Sequence, residues 1–198
     1  LQTGTNKGYA GGYNFGIKYA LNWGADYILL INNDTLIGDN SLVKKLREVM
    51  GADKKIGIVS PKIYFASGYE FYKERYKPQD KGKVLWYAGG YFDKRNVLVV
   101  HRGIDEVDSG AFDKTEEIDF ISGCCLLLRS SIFEKIGFFE EKLFAYFEDV
   151  DFVIRAKEAG YKMYYCGNTF LFHKVSRTAG IGSTLTDYLL TRNRLYVG

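Results

Sequence analysis

Tyr27-Ile28-Leu29-Leu30-Ile31-Asn32-Asn33-Asp34-Thr35 is an apolar run that stops abruptly at amides and an acid. Its first five residues are aromatic and aliphatic, and Gly24 and Asn32 bound them, which predicts a strand buried on both faces rather than a helix. Asp34 then stands just past the carboxyl end of that strand. In open sheets that alternate with helices ligands bind at this edge, and a carboxylate among amides there can hold a hard divalent cation. Taken alone, Asn-Asn-Asp after a strand is a turn whose side chains bond their own backbone. What surrounds the stretch decides between the two.

Upstream, Asn6-Lys7-Gly8-Tyr9-Ala10-Gly11-Gly12 reads as a glycine-rich loop, and Tyr13, Ile17, Ala20 and Leu21 recur at helical spacing until Gly24. Downstream, Leu42, Val43, Leu46, Val49 and Met50 predict an amphipathic helix after the cap candidates Asp39, Asn40 and Ser41, and residues 56–59 ahead of Pro61 predict another strand. This β-α-β rhythm predicts an α/β fold with a mixed, mainly parallel sheet flanked by helices. Residues 66–116 are Tyr-rich and charged, with Gly89-Gly90 and a hairpin expected around Asp93-Lys94-Arg95-Asn96 leading into Val97, and they read as a substrate-side insertion. Residues 118–129 are expected to form a strand broken at Ser122-Gly123. A short helix ended by Gly137, a helix over 147–159, strands over 161–166 and 170–173, and a terminal helix complete the prediction.

With 198 residues, 46% of them hydrophobic, the chain suits one domain with a real core and is not disordered. A net charge of +3 with both signs interspersed offers no basic stripe, which argues against a nucleic-acid partner. Cys124, Cys125 and Cys166 are odd in number and two are adjacent, so they form neither a disulfide framework nor a metal-ligand pattern, and a reducing, cytoplasmic setting is expected. Nothing approaches the roughly 18 apolar residues of a membrane-spanning helix. The chain opens on Leu1 and ends inside a helical pattern, so residues 1–198 are expected to be a single domain incomplete at the N-terminus and at the C-terminus.

A second acidic cluster lies in Phe144-Ala145-Tyr146-Phe147-Glu148-Asp149-Val150-Asp151-Phe152. Acids at a helix start complement the helix dipole. Asp151 is placed to pair with Arg155 four residues on, whereas Asp149 lies about 200° round the helix from Asp151 and is free for other work. An ionised carboxylate at a helix N-terminus behind aromatic side chains can serve as a general base for a hydroxyl. His173, one of two histidines, follows Phe170-Leu171-Phe172 and can complete an oxygen-and-imidazole shell for Mn²⁺ or Mg²⁺.

Together these residues resemble the inverting family 2 glycosyltransferases, and within them the rhamnosyltransferase-like members. Asn6, Gly8 and Asn14 lie in a segment similar to the family's loop and helix beside the nucleotide, and Asn32-Asn33-Asp34 is similar to its metal-binding acidic motif with Asn in place of the first Asp. Ser122-Gly123-Cys124 resembles the glycine loop beside the acceptor and donor sugar, and Phe147-Glu148-Asp149 the motif that bears the base. His173 corresponds to the C-terminal histidine that joins the metal or diphosphate, and Arg192 to a basic residue near the diphosphate.

The resemblance implies a glycosyltransferase A-type, Rossmann-like fold lacking its N-terminal nucleotide-binding strand. It implies Asp34 and His173 as metal ligands with Mn²⁺ or Mg²⁺ as cofactor, and Asn6, Gly8, Asn14, Asn32 and Arg192 as donor-binding. Gly123, Cys124 and Glu148 would lie by the sugars, with Asp149 as the base. The implied partners are a dTDP- or UDP-linked sugar donor and a glycan or lipid-linked acceptor, in cell-surface polysaccharide or glycan synthesis. The implied location is the cytoplasm, extending to the inner face of the cell membrane through segments outside this sequence. Two other classes fit parts of the pattern: a nucleotidyltransferase, which would need a second metal-binding acid near Asp34, and a sugar-binding domain without catalysis.

Overall fold

The computed structural model describes residues 1–175 and 183–198. Helix α1 (Gly8–Asn22) leads into strand β1 (Tyr27–Ile31), the run from which the fold was read. There follow β2 (Thr35–Ile37), α2 (Leu42–Ala52), β3 (Ile56–Phe65), β4 (Leu85–Tyr87), β5 (Gly90–Asp93), β6 (Leu98–His101), β7 (Thr115–Glu117) and β8 (Cys125–Arg129). Helix α3 (Ser131–Ile136), α4 (Glu148–Glu158), β9 (Lys162–His173) and α5 (Thr184–Val197) complete the order.

Among the described residues one mixed sheet runs β1-β8-β3-β9-β2, with β4 added to β3 and β7 to β9, and β5 pairs with β6 as a separate hairpin. β8 is antiparallel to both β1 and β3, while β3 and β9 are parallel. Strands β1, β3 and β9 thus share the direction that the β-α-β rhythm predicts. The sheet is nevertheless less parallel than that rhythm implies, because β8 returns between two co-directional strands and the short β2, β4 and β7 also run the other way.

Both faces of the sheet are covered. Ile28, Leu30, Ile58, Leu126 and Leu128 share a core with Ile17 of α1, Ile132 of α3 and Phe152 of α4. Tyr27, Leu29, Val59, Cys125 and Leu127 face the other way, onto Leu42, Leu46 and Met50 of α2. Alternation within β1 therefore divides its side chains between two cores, as a run apolar on both faces requires. Asp39 organises the start of α2, its Oδ1 accepting from the Ser41 amide at 2.8 Å and the Ser41 hydroxyl at 2.6 Å.

Three local expectations change. Residues 8–12 are the first turns of α1 rather than a loop, and only Gly8 needs a glycine's freedom: its φ is +68° and a Cβ there would collide with the carbonyl of Phe144. β3 runs on through Pro61, where the missing N–H coincides with a register shift against β9. The two strands expected over 161–173 are one strand, β9, because the partner register skips from Cys166 to Phe170 across that same shift. The insertion is anchored by Lys62, buried in β3, whose ammonium sits 2.6 Å from Asp108 and 2.5 Å from Asp113.

Candidate active site

The site begins where β1 ends. The Asn32 carbonyl accepts from the Thr35 hydroxyl at 2.7 Å and closes the Asn32-Asn33-Asp34 turn. The chain then re-enters the sheet as β2, which sequence patterning did not reveal. β2 lies antiparallel to β9 with Thr35 opposite His173, so strand pairing sets Asp34 beside the histidine. His173 Nε2 lies 3.1 Å from Asp34 Oδ1, outside hydrogen-bonding geometry, and both side chains are largely buried. Burial pulls the imidazole below its ordinary value against the attraction of Asp34, which favours the neutral form that ligates metals.

Asp34 Oδ1 and His173 Nδ1 are both buried without a hydrogen-bond partner among the described residues. The unpaired Asp34 oxygen at a buried site asks for a ligand, and two ligands at right angles on a small divalent cation stand about 3 Å apart, which is the spacing of Asp34 Oδ1 and the other ring nitrogen, His173 Nε2. The pair fits a cation such as Mn²⁺ or Mg²⁺. Among the described residues no group of three or more His, Cys, Asp or Glu is placed to hold a metal, so the remaining coordination positions would fall to a substrate or water.

The second half of the site hangs on residues 122–124. The Gly123 amide donates to Asp149 Oδ2 at 2.9 Å, and the Cys124 carbonyl accepts from the Asn32 amide at 3.0 Å. One loop thereby holds the acidic turn with one peptide and the helix-borne carboxylate with the next. Tyr9 and Tyr13, edge to face with ring centroids 4.3 Å apart, brace it from α1. The Tyr9 hydroxyl donates to the Gly123 carbonyl, and that of Tyr13 to Asn32 Oδ1 at 3.1 Å. A Cβ at residue 123 would lie 2.7 Å from the Tyr9 oxygen, so the close approach requires glycine. Burial pushes the Cys124 thiol well up, leaving it a neutral packing group.

Asp149 and Glu148 occupy the first turn of α4, and their environments separate them. Both Asp149 oxygens have donors, the Gly123 amide and, at 2.9 Å, the Val150 amide. Glu148 Oε2 is buried with no partner among the described residues. Burial raises both carboxyls, and the neighbouring Asp149 charge drives Glu148 higher still. Glu148 holds its proton more firmly, and Asp149 is the better anion.

Phe144, Tyr146 and Phe147, immediately before this turn, have φ of +64°, +67° and +67°, a region that costs bulky side chains of order 1–3 kcal/mol each. Asn193, fully buried in α5, holds the strained segment: its Nδ2 donates to the carbonyls of Leu143 at 2.9 Å, Ala145 at 2.9 Å and Tyr146 at 2.6 Å. Sequence reading passed over Asn193, although an amide between two arginines in a terminal helix was visible.

Other residues expected at the donor are taken up by the protein. Asn14 is buried, donating to the Phe139 carbonyl at 2.9 Å and accepting from the Phe139 amide at 3.0 Å. Arg192 donates to the carbonyls of Lys142 at 2.9 Å and Leu143 at 3.0 Å, so its guanidinium supports the same segment as Asn193. Asn6 Oδ1 accepts from the Gly8 amide at 3.0 Å and shapes the entry to α1.

In front of Asp149 opens a cleft of about 890 Å³, bounded by the β5–β6 hairpin, Phe120, the start of α4 and α5. Glu148, Asp149, Tyr146 and His101 line it, with Arg95 and Arg194. His101 was not singled out from the sequence; a histidine closing a short hairpin strand carries no signal until the hairpin is seen to face the acids.

Comparison with known proteins places this arrangement. The chain is 26% identical over 197 residues to the low-salt glycan biosynthesis hexosyltransferase Agl10 of Haloferax volcanii, covering 98% of this chain and 58% of that protein. It is 25% identical over 190 residues to the N-acetylglucosaminyl-diphospho-decaprenol L-rhamnosyltransferase of Mycobacterium tuberculosis, covering 91% and 60%. It thus spans somewhat under two thirds of the length of these relatives. The crystal structure of GalNAc-T7 with UDP, GalNAc and Mn²⁺ superposes with a TM-score of 0.64 at 12% identity, over 96% of this chain and 34% of that one, which establishes a shared glycosyltransferase A-type fold. The model of the family described as glycosyl transferase family 2 matches residues 1–137, from α1 through the acidic turn and the residue 122–124 loop to the end of α3. The chain belongs to glycosyl transferase family 2.

Proposed function

We propose that the site transfers a sugar from a nucleotide-diphosphate donor to an acceptor hydroxyl with inversion of configuration. The observation that carries this reading is the residue 122–124 loop, which hydrogen-bonds the acidic turn through Cys124 and Asp149 through Gly123. The turn that carries Asp34 and the carboxylate of Asp149 are thereby tied to the same loop.

Asp34 and His173 would hold Mn²⁺ or Mg²⁺, which when bound neutralises the diphosphate leaving group. Asp149 accepts the proton of the acceptor hydroxyl as its oxygen forms the new bond to the anomeric carbon and the bond to the diphosphate breaks. One displacement from the opposite face inverts the centre, and the nucleoside diphosphate leaves. Glu148, holding its own proton, keeps a second negative charge from building beside the base.

The donor is read as a UDP- or dTDP-linked hexose or rhamnose. The acceptor is read as a glycan or a lipid-linked sugar, the class named for the mycobacterial relative, in cell-surface polysaccharide or glycan assembly. No helix among the described residues is long and apolar enough to cross a membrane. A cytoplasmic setting, with peripheral association at the inner membrane face, is proposed on the acceptor's chemistry alone.

The test is product analysis of the full-length enzyme with nucleotide sugars and glycoside acceptors. Release of nucleoside diphosphate with an inverted anomeric centre by NMR supports the reading. Release of pyrophosphate would indicate nucleotidyl transfer instead, and retention of configuration would remove Asp149 as a base acting in a single displacement.

A further inference from the structure

The cleft that exposes Asp149 carries a second acceptor group on a different element. His101 closes β6, paired with Gly90 across the hairpin, and lines the cleft with Phe120, Glu148 and Asp149. Its ring is fixed by aromatic neighbours: stacked on Phe120 with centroids 6.1 Å apart, edge-on to Trp86 at 4.8 Å and to Tyr87 at 5.3 Å. Nδ1 lies 3.2 Å from the Trp86 carbonyl oxygen. A carbonyl only accepts, so Nδ1 carries the proton and Nε2 of the neutral ring is a bare lone pair. Burial holds the imidazole down to about 4, which keeps it neutral under physiological conditions. Nε2 has no partner among the described residues.

The cleft therefore presents two groups that only accept, the Asp149 carboxylate and the His101 Nε2, on separate elements. A ligand that satisfies both must donate twice. Arg95 and Arg194 at the same cleft disfavour a cationic amine in that role, which leaves a molecule with more than one hydroxyl.

We propose that His101 is a positioning residue for the acceptor: its Nε2 accepts a hydrogen bond from a second hydroxyl of the acceptor sugar while Asp149 receives the proton of the attacking one. This rests on the transferase reading above. Two anchored hydroxyls fix the rotation of the acceptor ring, so His101 selects which hydroxyl is glycosylated as well as binding the sugar. Its contact with Trp86, whose ring also packs on His173 at 4.5 Å, ties the wall that positions the acceptor to the cation-binding side of the site.

Two substitutions separate this role from packing. Asparagine places an amide nitrogen where Nδ1 stands, so H101N keeps the bond to the Trp86 carbonyl and loses the cleft-facing acceptor. Glutamine reaches the Nε2 position with an amide oxygen, so H101Q gives up the Trp86 bond and keeps the acceptor. The experiment measures kcat and acceptor KM for wild type and both variants with a panel of acceptor glycosides each lacking one hydroxyl. Melting curves and calorimetry with Mn²⁺ and nucleoside diphosphate accompany it. H101N should raise acceptor KM about 3- to 10-fold, the size of one lost neutral hydrogen bond, with nucleotide affinity unchanged. H101Q should recover most of that KM while melting lower. One deoxy acceptor should lose the same factor with wild type and nothing more with H101N. The opposite order, H101N matching wild type and H101Q impaired, overturns the proposal, as does a wild-type panel in which no second hydroxyl matters. A wild-type enzyme that transfers no sugar from any nucleotide donor overturns the transferase reading, and this inference falls with it.

Discussion

The two halves of the site are held by different means. Asp34 and His173 meet because β2 pairs with β9, a regular ladder in which Thr35 opposes His173. Asp149 is presented by a segment with three left-handed aromatic residues, kept in place by side-chain amides and a glycine loop. The Asp34–His173 half is stiff because a sheet is stiff. The Asp149 half is stiff because Asn193 and Arg192 over-determine a conformation its own residues disfavour. Damage at the first half should thus remain local to ligand binding, whereas damage at the second should spread from remote residues into turnover.

The largest effect is expected where one charge carries a function. Asp34→Ala should abolish Mn²⁺-dependent binding of nucleoside diphosphate, since no other acid completes the pair. His173→Ala should cost less, about tenfold, because one neutral ligand of several is lost. Calorimetry checks both, and unchanged Mn²⁺-supported binding in Asp34→Ala would place the cation elsewhere.

Asn193→Ala probes the other half from outside the cleft. Three backbone carbonyls lose their shared donor, which should destabilise the fold by about 2–3 kcal/mol and lower kcat while nucleotide binding persists. Denaturant titration beside kinetics reads both, and a stable variant with full turnover would show that the strained segment holds itself.

The carboxylate pair gives a pH signature with opposite signs for activity and stability. Glu148 and Asp149 have folded-state values raised above the ordinary range of about 4. Turnover, which needs the anion, should fall as pH drops through that raised range. The stabilisation from their protonated forms is full below the ordinary range and is lost as pH rises through the raised values. A kcat/KM profile alongside melting curves tests this, and parallel trends would contradict it.

The smallest effect belongs to Asp151, the acid that shares the turn without facing the cleft. Its Oδ2 accepts from Arg155 Nε at 2.9 Å, and its side chain is 21% exposed. Asp151→Asn should cost at most about 1 kcal/mol of stability and leave turnover alone. A large loss of turnover would break the distinction between chemistry and capping.

Legibility in the sequence follows the same division. The strand at residues 27–31, the acid just past it and the helix phase that separates Asp149 from Asp151 all follow from local pattern, and the structure sets them where that pattern implies. The ladder that brings His173 to Asp34 runs through a three-residue strand too short to show a period. The positive-φ backbone of Phe144, Tyr146 and Phe147 has no glycine to announce it. Asn14 and Arg192 are expected at the nucleotide only through the family resemblance, yet both serve backbone carbonyls whose need exists only once the loops have folded. His101 and Trp86 lie in the insertion, where nothing local says which face the hairpin turns to the acids.

The central claim is that Asp149 takes the proton in a site whose donor half stands independently of it. Its most direct test is the turnover of Asp149→Asn at saturating donor, with Mn²⁺–nucleoside diphosphate affinity measured on the same sample. A fall in kcat of roughly 10²–10⁴-fold with unchanged nucleotide affinity is the predicted result. Near-normal turnover would remove Asp149 from the chemistry, and loss of nucleotide binding together with turnover would show that the two halves are not separable.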